Sequence, residues 1–225
     1  MVKLSKNQIN SVLENIKAVV FDMDGTLLDS LKLWETIDKR FFADRNIEIN
    51  YEKYFGVTMG MTHPERAVYT KELFNMKESA EEILNLWMNE YYNNFEENVE
   101  LFSGVLSFMQ QLKHRGIKMG IATANRKEVY EQLTRKYPQL HQYIDVIVTC
   151  EEVGKSKPNP LVFNVCMQKL NASPSECLVF EDSVNGLTGA AASGAKVVCV
   201  LSDQDHKETK LNLSQFWFEE WDRLT

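Results

Sequence analysis

A run of apolar residues, Ala18-Val19-Val20-Phe21, ends at two aspartates one residue apart, Asp22-Met23-Asp24, followed by Gly25-Thr26. An unbroken apolar run of this length reads as a strand buried on both faces, the kind found in parallel sheets. Open α/β sheets bind their ligands at the carboxyl ends of such strands. Two carboxylates at that point repel each other and call for a cation or a shared proton. The pattern is the layout of a magnesium site with a carboxylate nucleophile beside a carboxylic acid. Gly25 permits the sharp turn that aims these groups.

Five apolar runs read as strands: Ala18–Asp22, Lys118–Ala122, Val146–Cys150, Cys177–Glu181 and Lys196–Leu201. Helical patterns separate the last four, and right-handed βαβ crossovers then give an α/β fold, a Rossmann-like parallel sheet with helices on both faces. Ser103 is expected to cap one helix, Gly116 to stop it, and Asn159-Pro160 to start another with proline at its first position. Residues 31–98 break the rhythm and contain no convincing strand. Trp34, Ile37 and Phe41 recur at helical spacing, as do Ile83, Leu86, Trp87 and Tyr91. Thr62-His63-Pro64-Glu65 and Ser79-Ala80-Glu81-Glu82 fit the capping box. The expected organisation is a core of residues 1–32 and 99–225 with a helical cap of residues 33–98 standing over the catalytic end of the sheet. The aromatic tail (Phe216, Trp217, Phe218, Trp221) is expected to pack a last strand or short helix on the core. The small residues from Gly186 to Ala195 read as a helix lying close to the sheet, not as a nucleotide loop.

Bulk properties narrow the function by exclusion. The net charge is −7 and there is no basic stripe, so nucleic acid is not an expected partner. The four cysteines, Cys150, Cys166, Cys177 and Cys199, form no Cys-x-x-Cys pair and read as buried reduced thiols. Residues 1–17 lack the apolar run of a signal peptide, and no window of about 20 apolar residues offers a membrane span. A soluble cytoplasmic monomer is expected. An anionic phosphate ester would then have to be drawn in by a local metal and lysine.

The later strand ends supply the partners of the aspartate pair. One ends in Thr123-Ala124-Asn125, another is followed by Gly154-Lys155-Ser156-Lys157-Pro158, and a third ends in Glu181-Asp182-Ser183. Four segments thus bring a carboxylate pair, a hydroxyl, a lysine and a second carboxylate pair to one sheet edge.

In this order the residues resemble the haloacid dehalogenase superfamily, in its branch with a small helical cap, which includes β-phosphoglucomutase and many small-metabolite phosphatases. Asp22-Met23-Asp24-Gly25-Thr26, Thr123, Lys157-Pro158 and Glu181-Asp182-Ser183-x-x-Gly186 match its four motifs. The resemblance implies that Asp22 is a nucleophile forming an aspartyl-phosphate and that Asp24 is general acid, then base. It implies Mg2+ held by Asp22, the Asp24 carbonyl and Asp182, with Glu181 a ligand or a support. Thr123 would hold phosphoryl oxygens, and Lys157 would neutralise their charge. Gly25, Ala124, Asn125, Trp34 and His63 are expected around the substrate, with Met59, Met61 and Arg66 also lining the cap. Ser30 is expected to be a helix cap and Lys155 to be solvated.

The chain departs from the branch in three places. Leu161 stands where relatives have an acidic residue that orients the lysine. Trp34 replaces the mutase histidine, and Met61-Thr62-His63-Pro64 replaces a segment with an arginine. The last two departures favour hydrolysis over mutase chemistry, and Asp24 argues against the dehalogenase and phosphonate-cleaving branches. The expected activity is Mg2+-dependent hydrolysis of a small phosphorylated metabolite, a sugar phosphate or nucleoside monophosphate. A phosphosugar mutase is the alternative, and a non-catalytic phosphate-binding module a more distant one.

Overall fold

The computed structural model describes all 225 residues. Seven strands make one wholly parallel sheet: β1 (Val2–Lys3), β2 (Ala18–Phe21), β3 (Lys118–Thr123), β4 (Val146–Thr149), β5 (Cys177–Glu181), β6 (Lys196–Val200) and β7 (Phe216–Phe218). Their spatial order is β1-β7-β6-β5-β2-β3-β4. The five expected strands are all present, each starting at the predicted residue and ending within one residue of the predicted bound. The tail contributes β7, and a 3-10 turn over Trp221–Arg223 follows it. The helices are α1 (Lys6–Val12), α2 (Leu31–Ala43), α3 (Tyr51–Thr58), α4 (His63–Phe74), α5 (Ala80–Asn98), α6 (Val105–His114), α7 (Lys127–Lys136), α8 (Leu140–Tyr143), α9 (Cys150–Val153), α10 (Leu161–Lys169), α11 (Val184–Ala192) and α12 (Lys207–Asn212).

Strand alternation assigns the two faces of the sheet. Val19 and Phe21 join Met119, Ile121, Leu178 and Phe180 in the larger apolar cluster. Ala18 and Val20 face the other way, into a smaller cluster with Val162, Phe163 and Cys166 of α10 and Leu187 and Ala190 of α11. The larger cluster continues without a break into the helices between β2 and β3, through Trp34, Ile37, Phe41, Tyr54, Ile83, Trp87, Tyr91 and Phe95. All four cysteines are buried and unpaired. No helix is long and apolar enough to cross a membrane.

The capping boxes form at both predicted places. Thr62 N donates to Glu65 Oε2 at 2.9 Å and Ser79 N to Glu82 Oε2 at 2.7 Å. Other helix starts differ from the expectation. Helix α6 is capped by Gly104 at φ 87°, not by Ser103. Pro160 is the cap of α10, not its first residue, and the Asn159 side chain accepts from Leu161 N at 3.0 Å. In α5 Ile83, Trp87 and Tyr91 are buried as expected, but Leu86 is 45% exposed, and Met88 and Phe95 complete the stripe.

Register sets the site. Phe21 lies opposite Ile121 of β3 and Phe180 of β5, so the residues that follow all three strands emerge at one edge. The tail braces that edge from beneath. Trp221 packs on Phe21, Phe108, Phe180 and Phe218, and its Nε1 donates to the Thr26 carbonyl at 2.9 Å.

Candidate active site

The floor of the site is a buried ionic cluster. Lys157, 3% exposed, follows α9 and donates through Nζ to Asp22 Oδ1 at 2.5 Å and to Glu181 Oε1 at 2.7 Å. The second Glu181 oxygen accepts from Ser183 N at 2.7 Å and Ser183 Oγ at 3.0 Å. Glu181 thus supplies the acidic partner of the lysine that Leu161 does not, and both of its oxygens are engaged. Gly186 makes room for it, since a Cβ there would lie 1.8 Å from Glu181 Oε1. Lys155 is exposed, as expected.

Asp182 is held differently. Thr26 Oγ1 donates to its Oδ1 at 3.2 Å, whereas its Oδ2 is buried with no partner. Gly25, at φ 76°, lets the chain pass directly over it, because a Cβ at that position would sit 2.3 Å from this Oδ2. Oxygens of Asp22, Glu181 and Asp182 lie within 4.8 Å of one another. Burial pushes the Asp22 carboxyl up to about 7, with Lys157 opposing the rise and Glu181 adding to it. Burial, then the charges of Glu181 and Asp22, raise Asp182 well above the usual carboxylate range. Three crowded carboxylates, two of them on one ammonium and the third with an orphaned oxygen, form an all-oxygen donor set that fits a hard divalent cation.

Asp24 stands at the border between floor and roof. Its Oδ1 accepts from Ser30 Oγ at 2.6 Å and from Tyr91 OH at 3.4 Å, and its Oδ2 accepts from Asn125 Nδ2 at 2.8 Å. Ser30 occupies the cap position of α2, but its hydroxyl makes no capping bond and is spent on Asp24 instead. The expectation of a plain helix cap is corrected on that point. Because the Asn125 amide must turn its NH2 to the carboxylate, its Oδ1 faces His63 Nε2 at 3.0 Å, and that nitrogen then carries the proton. His63 stacks on Trp34 (centroids 4.6 Å), and Trp34 stacks on Tyr91 (4.3 Å, 16°), which returns to Asp24. Three helices of the insert and two strand ends are thereby joined in a closed ring. Thr123, 1% exposed, accepts from Asn125 N at 2.9 Å and keeps its own hydroxyl proton to donate.

The cleft between floor and roof is lined by Asp22, Asp24, Thr123, Ala124, Asn125, Lys157, Glu181 and Asp182 below. Trp34, Met59, Met61, His63 and Arg66 line it from above. Arg66 is not a free cation there. It is ion-paired with fully buried Asp38 and lies over the Trp87 ring at 5.0 Å. Sequence reasoning missed Ser30, Tyr91 and Asp38 as parts of the site. The only signal for Tyr91 was a hydroxyl within an otherwise apolar stripe.

Comparison with known proteins agrees with this geometry. A model of the haloacid dehalogenase-like hydrolase family matches residues 19–200. The chain is 26% identical over 213 residues to hexitol phosphatase B of Escherichia coli, covering 93% of this chain and 95% of that protein. It is 30% identical over 185 residues to the phosphorylated carbohydrates phosphatase of Thermotoga maritima, covering 80% and 82%. The structure of β-phosphoglucomutase from Clostridium difficile superposes with a TM-score of 0.76 at 19% identity, over 93% of each chain, which shows a shared fold. The chain belongs to the haloacid dehalogenase-like hydrolases. Within that family it is a phosphoric monoester hydrolase.

Proposed function

We propose that the protein hydrolyses the phosphate monoester of a small sugar or sugar alcohol through an aspartyl-phosphate on Asp22, with Mg2+ as cofactor. Residues 33–98 act as the cap domain, and residues 1–32 with 99–225 as the catalytic core. The observation that carries the reading is the buried Asp22–Lys157–Glu181 cluster beside the unpartnered oxygen of Asp182. The names of the curated relatives, a hexitol phosphatase and a phosphorylated carbohydrates phosphatase, support the substrate class.

Asp22 and Asp182, with the Asp24 carbonyl, would hold the magnesium ion, and Glu181 is kept for Lys157. When bound, the ion supplies positive charge that lets a carboxylate approach a phosphate dianion. Asp22 attacks phosphorus, and the bond from phosphorus to the ester oxygen breaks as the new one forms. Asp24 gives its proton to the departing alkoxide. It then takes a proton from the water that attacks the aspartyl-phosphate, which releases phosphate and restores Asp22. Lys157 balances charge on the transferred group, and the Thr123 hydroxyl donates to its oxygens. Asp24 accepts from Ser30 and Tyr91 on Oδ1 and from Asn125 alone on Oδ2, so the leaving group meets it at Oδ2, beside Asn125.

The paired state of Arg66 supports hydrolysis over the mutase alternative, because a mutase must hold a second phosphate. The test is a panel of sugar and sugar-alcohol phosphates with magnesium, reading both phosphate release and product identity. Phosphate release that stops on chelation and returns with magnesium is expected. Isomer formation without phosphate release would overturn the reading.

A further inference from the structure

Every cation that lines the cleft is already committed. Of the lining side chains, only Lys157, Arg66 and His63 can carry positive charge. Lys157 is bound to two carboxylates of the floor. Arg66, 5% exposed, spends its charge on Asp38, which is itself fully buried. Its guanidinium is further enclosed by the rings of Tyr54 and Trp87 at 5.3 and 5.0 Å. His63 is held between Trp34 and the Asn125 carbonyl, and burial pushes its pKa down to about 4, so it is neutral near pH 7. Arg126, just behind it, has Glu128 and Glu151 each at 3.7 Å. The remainder of the roof is uncharged: Thr58 and Gly60 beside the apolar Leu31, Trp34, Phe55, Met59 and Met61.

We propose that this cleft selects substrates by the charge of the leaving group, accepting monoesters of uncharged polyhydroxy compounds and rejecting esters that carry a carboxylate or a second phosphate, pyrophosphate included. The selection presupposes the phosphatase chemistry proposed above and adds its specificity. A second anion would enter a space with no unpaired cation and with Asp24, Glu181 and Asp182 close by. Arg66 bonds Asp38 through Nη2 alone and its Nε has no partner, but its charge is already cancelled by that fully buried carboxylate, so a second anion beside it would meet a neutral pair and not a free cation. Neutral hydroxyls meet no such penalty. Asn125, His63 and Thr58 offer them polar atoms, and the apolar faces of a sugar or sugar alcohol fit against Trp34, Met59 and Met61.

The experiment compares kcat/KM for a hexitol monophosphate with the matched aldonic acid phosphate, in which a carboxylate replaces the terminal CH2OH. The hexitol bisphosphate and pyrophosphate complete the set. The charged members are expected to be poorer by on the order of 30-fold or more, the scale of placing a charge without a partner. A charged-to-neutral ratio near one overturns the charge selection and leaves the phosphatase reading standing. No phosphate release from any member overturns both. Asp38→Asn frees the charge of Arg66 and should move the ratio toward the charged esters by on the order of tenfold. His63→Arg, which adds a cation to the same wall, should move it in the same direction and serves if the first variant does not fold. A merely structural effect would lower both esters alike, and a ratio unmoved in the folded variants contradicts the proposal.

Discussion

Floor and roof of the cleft solve opposite problems. The floor concentrates charge: Asp22, Lys157, Glu181 and Asp182 are all buried, and a single fully enclosed carboxylate oxygen among them, Asp182 Oδ2, is left without a partner. The roof disperses or cancels charge: its arginine is paired, its histidine is neutral, and its largest surfaces are Trp34 and the methionines. A charged floor suits a transferred group that is always the same. A quiet roof suits a leaving group that varies and must be told apart by shape and charge. The two halves meet at Asp24, which the floor holds through Ser30 and Asn125 and the roof through Tyr91.

Changes in the floor should therefore cost the most. Asp22→Asn removes the proposed nucleophile while keeping the shape, and kcat is expected to fall by at least about 10^4-fold, measured as phosphate release. Lys157→Met should lower kcat by about 10^2- to 10^3-fold. It should also cost about 3–5 kcal/mol in urea unfolding, because Asp22 and Glu181 are left buried without their cation. Gly186→Ala touches no substrate, yet its Cβ would fall on Glu181 Oε1 and push that carboxylate off the lysine. We expect a loss of about 1–3 kcal/mol in stability and a reduced kcat with little change in KM. A variant with unaltered kcat would separate Glu181 from lysine placement.

The smallest effect belongs to the roof and is read from stability against pH. The folded pKa of His63 is about 4, below the ordinary value of 6.5, because burial disfavours the imidazolium. Between those values the unfolded chain binds a proton that the folded chain does not. Its contribution is thus present above pH 6.5 and is lost as pH falls toward 4. His63→Gln, which keeps a donor for Asn125, should flatten the wild-type curve over that window by at most about 3 kcal/mol. Parallel curves for the two proteins would show that His63 is not held neutral, and would weaken the contrast between roof and floor.

The floor was legible in the sequence and the roof was not, for a physical reason. Asp22, Thr123 and Glu181 each sit at or beside the end of an apolar run, and parallel pairing brings such ends together whatever the helices do. Glu181 could not be settled as ligand or support from its position alone, and the bond from Lys157 is visible only once β5 and the segment after β4 are both in place. The roof depends on how α2, α4 and α5 pack on one another. Tyr91 has the spacing of a core residue and is one by burial, yet its hydroxyl reaches Asp24. Arg66 lines the cleft as expected, but its pairing could not be read because its partner, Asp38, lies 28 residues earlier on a different helix. Ser30 sat correctly at a helix start but gave its hydroxyl to a carboxylate outside the helix, a choice that helix signals do not encode.

The central claim is that Asp22 carries the phosphoryl group. Asp24→Asn should slow release of that group more than its capture, because hydrolysis of the intermediate needs the base. Acid quenching of this variant with magnesium and a reactive phosphate monoester, followed by peptide mass mapping, should find one phosphoryl group on the peptide that contains Asp22. Phosphate release with no labelled peptide, or a label on another residue, would contradict the account.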